Sequence, residues 1–160
     1  MPFPKEKKQD DAQEAREEEH VDETVSAHPS TSRTICIAVD ESKFSAYTLD
    51  WALDNILEPG RDHVVLLNVR PKVKLGSVLA QASIDLSAGH AALDKQNRDA
   101  RGVALKGDAR EEIVWKVEDA GADMLIMGSR GMGAVKRSLI GSVSDYAMHH
   151  ADCAVIVHKE

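Results

Sequence analysis

The chain has 160 residues, a formal net charge of −7 and a hydrophobic content of 42%. This length suits one domain, and the apolar fraction is sufficient for a core. The negative charge argues against a general affinity for nucleic-acid phosphates or anionic membranes. No apolar run approaches the roughly 20 residues that a membrane helix needs. The polar, acidic start predicts neither a secretory signal nor a transit peptide, so we expect a cytoplasmic protein.

The first part of the chain, residues 1–32, has almost no apolar residues and carries most of its charge in clusters. A helix formed there would have no apolar face to bury, so the composition predicts a disordered acidic tail. A partner-binding tail is the alternative, although charge runs are more often simply solvated. We therefore place the folded domain at residues 33–160.

The domain begins with two apolar runs joined by a helical pattern. Residues 34–39 and 64–69 are rich in β-branched and aliphatic side chains, as expected of strands buried on both faces. Between them, apolar residues recur at helical spacing until Pro59-Gly60. Two buried strands with one intervening helix predict a right-handed βαβ unit in a parallel sheet.

The second half continues the alternation. Residues 75–98 contain helical stretches interrupted by glycines, and residues 103–105 are a candidate short third strand. Asp108 and Glu111 have the spacing of a capping box and predict the start of a helix. Apolar runs at 124–127 and 154–157 predict the last two strands, with a helix over 142–150 between them. This order predicts a five-stranded, doubly wound parallel α/β sheet.

A glycine-rich loop follows the fourth predicted strand. Gly128, Gly131 and Gly141-Ser142 are spaced as Gly, two residues, Gly, nine residues, Gly-Ser. Glycines after a strand can adopt positive φ and approach a ligand closely, and the helix that begins at Gly141-Ser142 directs free N–H groups to the same place. A corner between strand and helix is the simpler alternative. Hydroxyl and basic side chains in the span favour phosphate binding: Ser142, Ser144, Arg130, Lys136 and Arg137.

Asp40 ends the first predicted strand and lies across the expected ligand crevice from Gly128. In doubly wound sheets, ligands bind beyond the carboxyl ends of the strands, where the strand order reverses. A carboxylate there can accept hydrogen bonds from ribose hydroxyls while the glycine loop binds phosphates. An N-cap for the following helix, shared with Ser42, is an equally good interpretation of Asp40.

From residue 33 to 159 the chain resembles the universal stress protein (UspA-like) family. The resemblance rests on Ala38-Val39-Asp40, Asn68-Val69, the run from Gly107 to Ile113, Gly121-Ala122-Asp123 and, above all, the stretch from Gly128 to Val157. The glycine signature has the form of the ATP-binding members. The family implies a Rossmann-like sheet of order 3-2-1-4-5, like that of adenine nucleotide alpha hydrolases. It also implies ATP or AMP as ligand and a homodimer formed through Ala154–His158. The hydroxyls of Ser142 and Ser144 could contact a magnesium ion accompanying ATP.

Matching positions imply a set of nucleotide-binding residues. Around adenine and ribose the family places Ala38, Val39, Asp40 and Val69. Around ribose and phosphates it places Met127, Gly128, Arg130, Gly131, Gly141, Ser142, Val143 and Ser144. The sequence departs from the family between Pro71 and Gly107, where the segment is short and broken by glycines.

No catalytic or metal-binding constellation stands out. His149-His150 near Cys153 lacks further ligands at zinc-site spacing, and the two cysteines are expected to be buried free thiols. No carboxylate in the glycine loop is placed to orient a water for ATP hydrolysis. We therefore predict a regulatory adenine-nucleotide-binding protein of the stress response, with no catalytic residues and no metal ligands. The alternatives are a slow ATPase or phosphotransfer enzyme, and a dimeric interaction module with an empty crevice.

Overall fold

A computed structural model describes residues 19–21, 32–70, 72, 91, 93–94, 99–131 and 140–159. The described strands are β1 (Glu19–Val21), β2 (Arg33–Ala38), β3 (Asp62–Arg70), β4 (Asp99–Lys106), β5 (Met124–Gly128) and β6 (Ala154–His158). The helices described over their full length are α1 (Lys43–Asn55), α2 (Ala109–Asp119) and α3 (Ser142–His150).

The strands form one six-stranded sheet of order β1-β4-β3-β2-β5-β6. The five strands from β2 to β6 are mutually parallel, and their order is 3-2-1-4-5 when only these strands are counted. The predicted doubly wound fold is therefore confirmed. The strand order reverses between β2, the first parallel strand, and β5, the fourth, so the carboxyl ends of these two strands enclose a crevice.

Helices cover both faces of the sheet, which explains the near-continuous apolar strands. One face of the sheet packs against α1 through Leu49, Ala52 and Leu53. The other packs against α2 and α3, which bury Ile113 and Ala147 respectively. Burying each large aliphatic side chain contributes about 1.5–3 kcal/mol, so these two layers hold the strand ends that surround the crevice in place.

The far side of the sheet differs from the sequence-based expectation. The short strand expected at 103–105 extends over Asp99–Lys106 and pairs with β3 along its full length. Gly102 and the charged residues have low strand propensity, so the sequence pattern does not indicate the ends of this strand. Pairing with the long neighbour β3 outweighs this weak propensity. The helical stretches expected at 75–98 lie mostly outside the described residues; of those described, Ala91, Leu93 and Asp94 are helical.

The segment expected to be disordered contains β1, a short strand antiparallel to β4. Glu19 pairs with Ala104 and Val21 with Gly102. The rest of that segment before residue 32 lies outside the described residues. A bare strand edge has unpaired N–H and C=O groups that any extended segment can satisfy, even one with few apolar side chains.

The cysteines are both free thiols. Cys36 is buried in β2 and Cys153 is half-buried before β6. Burial raises the pKa of the Cys36 thiol to about 12 and also raises that of Cys153. Both thiols therefore stay protonated near neutral pH. Because the thiolate is the reactive form, reactions of these cysteines as nucleophiles are disfavoured. Within the described part of the chain, none of the helices is long and apolar enough to cross a membrane.

Candidate functional site

A cavity of about 500 Å³ lies at the carboxyl end of the parallel strands. This volume is within the range of about 300–1,000 Å³ usual for small-molecule sites. Its walls come from the ends of β2, β3 and β5, from the loop after β5 and from the amino-terminal turns of α1, α2 and α3. The lining residues are Ala38, Val39, Asp40, Ser45, Leu67, Val69, Ala109, Ile113, Met127, Gly128, Arg130, Gly131, Ile140, Gly141, Ser142, Val143 and Ser144.

The lip formed by β2 is organised around Asp40. Ser42, not Asp40, is the N-cap of α1, and its hydroxyl accepts from the Ser45 amide at 3.3 Å. Asp40 Oδ1 in turn accepts from the Ser42 amide at 3.0 Å and from the Ser42 hydroxyl. Asp40 thus holds the capping residue Ser42 in position, and it also lines the cavity. The N-cap of α1 is therefore Ser42, and Asp40 takes part in the cap only through its hydrogen bonds to Ser42.

The glycines of the loop are closely surrounded by other atoms and do not have positive φ. Among the described glycines, only Gly60 and Gly121 have positive φ, so the expectation of positive φ at Gly128, Gly131 and Gly141 is wrong. A Cβ at Gly131 would instead lie 2.5 Å from Asp40 Oδ2, and one at Gly141 would lie 3.3 Å from the Ser129 carbonyl. A side chain at Gly131 would therefore displace the Asp40 carboxylate, and one at Gly141 would press against the backbone of the loop itself.

Short backbone hydrogen bonds tie the loop to its surroundings. Ser129 donates its amide to the His158 carbonyl, the last residue of β6, at 2.7 Å. Gly141 donates to the Ser129 carbonyl, also at 2.7 Å. Gly141 is the N-cap of α3 and has no side chain to cap the helix. The N–H groups of the first turn of α3 therefore lack a side-chain cap at the cavity wall, where they can bind an anion.

Arg130 supplies positive charge to the same wall. Its Nε is buried and has no hydrogen-bond partner among the described residues. Leaving a buried donor unpaired costs about 1–3 kcal/mol, and more for a charged group. A bound anion would remove this cost, so the cavity fits a phosphate at this end.

The opposite wall is apolar. Leu67 and Val69 from β3 and Ile113 from α2 line it together with Ala109. Sequence reasoning missed Leu67, Ala109 and Ile113, as well as Ser45 and Ile140, because aliphatic residues at strand ends and helix starts look like ordinary core residues. The capping box after β4 was the available signal, since it places the start of α2 at the carboxyl edge of the sheet.

The charged pair at the start of α2 is satisfied within itself. Asp108 is the N-cap of α2, and Arg110 donates to both of its oxygens at 3.0 and 2.6 Å. These hydrogen bonds hold the pKa of Asp108 at about 2, below the ordinary 3.8. The pair therefore remains ionised at any physiological pH and caps the helix beside the cavity.

The two adjacent histidines contact their own helix. His149 Nδ1 lies 2.7 Å from the Asp145 carbonyl, and His150 Nδ1 lies 2.8 Å from the Tyr146 carbonyl. Tyr146 and His150 also stack at 3.9 Å between ring centroids. In the part of the chain that the structure describes, no group of three or more His, Cys, Asp or Glu side chains is arranged to hold a metal.

All of the predicted nucleotide-binding residues line this one cavity: Ala38, Val39, Asp40, Val69, Met127, Gly128, Arg130, Gly131, Gly141, Ser142, Val143 and Ser144. The cavity has an apolar wall, a carboxylate at one lip, and helix N–H groups with an unpaired guanidinium nitrogen at the other. This arrangement suits a ligand that combines a flat apolar ring, hydroxyl groups and an anion.

Sequence comparison identifies relatives over the same region. A family model described as the universal stress protein family matches residues 31–159. The universal stress proteins PHOS32 and PHOS34 of Arabidopsis thaliana are each 33% identical to the chain, over 155 and 159 residues, with 78% of the chain covered. The matched regions cover 64% and 61% of the length of these two relatives.

Structural comparison gives the same fold. Protein MJ0577 superposes with a TM-score of 0.69 and 25% identity, covering 81% of this chain and 97% of that one. An Arabidopsis thaliana universal stress protein with AMP bound, At3g01520, has a TM-score of 0.61 at 20% identity, over 80% and 92% of the two chains. A universal stress protein in complex with cAMP has a TM-score of 0.59 at 18% identity, over 82% and 100%. The fold, the glycine signature and the family match together place this chain in the universal stress protein family.

Proposed function

We propose that the cavity binds an adenine nucleotide, ATP or AMP, and that the protein is a nucleotide-dependent regulator of the stress response. The observation that carries this proposal is the buried Nε of Arg130, which has no partner among the described residues and lies at a cavity wall built from a glycine loop and a helix N-terminus. Phosphate is the anion that such an arrangement accommodates best. Relatives with AMP or cAMP bound support adenine as the base.

The proposal gives each part of the nucleotide a position in the cavity. Adenine would pack against the apolar wall that includes Ala38, Leu67 and Val69, and burial of its flat face would supply most of the affinity. Asp40 would accept a hydrogen bond from a ribose hydroxyl. The phosphates would lie against Gly131 and the first turn of α3, where the absence of side chains on the glycines lets the backbone approach.

We propose a regulatory role for this cavity and not rapid catalysis. Fast ATP hydrolysis needs a metal, a positioned water and charge stabilisation of the γ-phosphate. Ser142 and Ser144, at the cavity wall, have the hydroxyls that could contact a magnesium ion bound with ATP. We propose that magnesium enters only with the nucleotide, and that the loaded and empty protein differ in the surface they present to partners in the cytoplasm.

The direct test is to denature the purified protein and identify the released small molecules by mass spectrometry, followed by calorimetric titration with ATP, AMP and GTP. We expect released adenine nucleotide, or saturable binding of ATP or AMP in the micromolar range or tighter, with GTP weaker. No released nucleotide and no saturation with either adenine nucleotide would eliminate the proposal. Turnover of ATP with magnesium at an enzymatic rate would replace the regulator with an ATPase.

We further propose a homodimer formed through β6. This strand is at one edge of the sheet, while β1 covers the opposite edge, and β6 is apolar from Ala154 to Val157. An open, apolar edge strand tends to pair with another chain, and antiparallel pairing about a two-fold axis would satisfy both edges and stop further growth.

Substitution on this edge tests the dimer. Val157→Pro removes a backbone N–H and should shift the protein towards monomer in sedimentation velocity. Val155→Lys should act in the same direction through charge. A monomer at tens of micromolar for the unaltered protein would contradict the proposed dimer without affecting the nucleotide proposal.

A further inference from the structure

The peptide unit between Val39 and Asp40 is held on both sides by buried side chains. The Val39 carbonyl accepts from Asn68 Nδ2 at 3.0 Å. The Asp40 amide donates to Ser45 Oγ at 2.9 Å. Asn68 is 2% exposed and Ser45 is 5% exposed. One clamp comes from β3 and the other from α1, so the plane of this peptide is fixed by two different elements.

The orientation of this peptide determines where the Asp40 carboxylate lies. Val39 continues the β2–β3 ladder by donating to the Leu67 carbonyl at 2.8 Å. The chain then leaves the sheet, and Asp40 Oδ2 extends to the surface of Gly131 on the other lip. Rotation of the Val39–Asp40 peptide would move this carboxylate along the crevice, because only one rigid peptide and one side chain separate it from the sheet.

Asn68 is an unusual residue for its position. Its β3 neighbours Leu66 and Leu67 are almost completely buried. Only Nδ2 can face a carbonyl oxygen, since an amide oxygen has no proton to donate. Asn68 Oδ1 is then left buried without a hydrogen-bond partner among the described residues. Such an orphan acceptor destabilises a protein, and an apolar side chain would avoid it.

We infer that Asn68 is a positioning residue: by holding the Val39 carbonyl, it sets the Asp40 carboxylate to accept a hydrogen bond from a ribose hydroxyl of the bound nucleotide. The inference rests on the proposed nucleotide function. Asn68 does not line the cavity, so its effect on binding passes through Val39 and Asp40. The simpler alternative is that Asn68 only satisfies the Val39 carbonyl and contributes to folding.

A comparison of two ligands separates these alternatives. ATP and 2′,3′-dideoxy-ATP differ only in the ribose hydroxyls, so the ratio of their dissociation constants measures the hydroxyl contact. We expect the unaltered protein to bind ATP about tenfold more tightly, as one hydrogen bond to a charged group warrants. In Asn68→Leu we expect ATP affinity to fall about tenfold while dideoxy-ATP affinity stays nearly constant, so that the ratio approaches one.

Asn55→Leu is the matched control. Asn55 also donates its side-chain amide to a backbone carbonyl, that of Trp51 at 2.8 Å, but on the exposed surface of α1. This variant should keep the ligand ratio of the unaltered protein. If Asn68→Leu does not fold by circular dichroism, Ser45→Ala tests the same peptide from its other side and should lower the ratio in the same way.

Three results would overturn the inference. Equal weakening of both ligands in Asn68→Leu would show a structural role only. If Ser45→Ala and Asn68→Leu both fold and both keep the ratio of dissociation constants of the unaltered protein, the position of Asp40 does not depend on this peptide. Equal affinities for ATP and dideoxy-ATP in the unaltered protein would show that Asp40 does not contact the ribose. If the unaltered protein binds neither nucleotide, the proposed function itself fails, which is a distinguishable outcome.

Discussion

The two ends of the parallel sheet each hold an arginine, and the surroundings of these two arginines differ. At the amino end, Arg33 donates to both oxygens of Asp62 at 2.8 Å, and Asp62 also accepts from the Glu58 amide at 2.8 Å. At the carboxyl end, the buried Arg130 Nε lacks a partner among the described residues. The Arg33–Asp62 pair stabilises the fold, whereas the Arg130 Nε at the cavity wall has no partner in the described part of the chain. Stability and binding should therefore respond to different substitutions.

The largest expected effect is on stability at the amino end. Asp62→Asn removes the charge that pairs with Arg33, and because the Asp62 side chain is 1% exposed we expect a loss of about 3 kcal/mol in the free energy of unfolding by urea. Nucleotide affinity, measured where the variant remains folded, should not change. The control is Glu58→Gln, because the exposed pair between Glu58 and Arg61 should be worth less than about 1 kcal/mol. Equal small losses in both variants would remove the contrast between the ends.

The next effect is on binding at the carboxyl end. In Gly131→Val with Gly141→Val, the new side chains would fill the crevice beside Asp40 and the Ser129 carbonyl. We expect nucleotide affinity to fall at least about a hundredfold, or about 2.7 kcal/mol, with the fold retained. Calorimetric titration measures the loss, and unchanged affinity would place the phosphates elsewhere.

Gly60→Val is the converse control for this pair of substitutions. Gly60 has a φ of +76° and nothing within 4 Å of an added Cβ. A branched side chain should therefore reduce stability through backbone strain, by about 1–2 kcal/mol, and leave nucleotide affinity intact.

The smallest effect is expected from the amino-terminal segment, which belongs to neither end. Deleting residues 1–32 removes β1, a strand of three residues at the outer edge of β4. We expect the melting temperature to fall by at most a few degrees and nucleotide affinity to stay the same. A larger fall in calorimetric melting temperature would show that the edge contributes to the core.

The sequence was informative wherever a pattern has one physical cause. Buried parallel strands must be apolar on both faces, so β2, β3, β5 and β6 were recognisable. The ends of β4 were not, because Asp99, Gly102 and Lys106 have low strand propensity and are held by pairing with β3. The short β1 was missed because Glu-His-Val carries no alternating pattern.

The candidate site shows the same division. The glycine signature and Asp40 were predicted because each directly follows an apolar run that is recognisable as a strand. Of the two reasons given for the glycines, positive φ is wrong at Gly131 and Gly141. A Cβ at Gly131 would instead contact Asp40, which only the folded chain brings near, and one at Gly141 would contact the Ser129 carbonyl. Asn68 was not recognised as a supporting residue, because its partner, Val39, lies 29 positions away in the chain.

The central position of β2 has a consequence for the order of folding. On one side β2 pairs with β3, its neighbour in the chain, and on the other it pairs with β5. Just before β5, the Asp123 carboxylate accepts from the Thr34 amide, 89 residues away in the chain. Contacts between distant parts of a chain carry a larger loop-closure entropy and form more slowly. The β2–α1–β3 unit should therefore assemble early, while the seam between β2 and β5 closes late. Since the cavity lies across that seam, a folding chain should become competent to bind its ligand only near the end of the reaction.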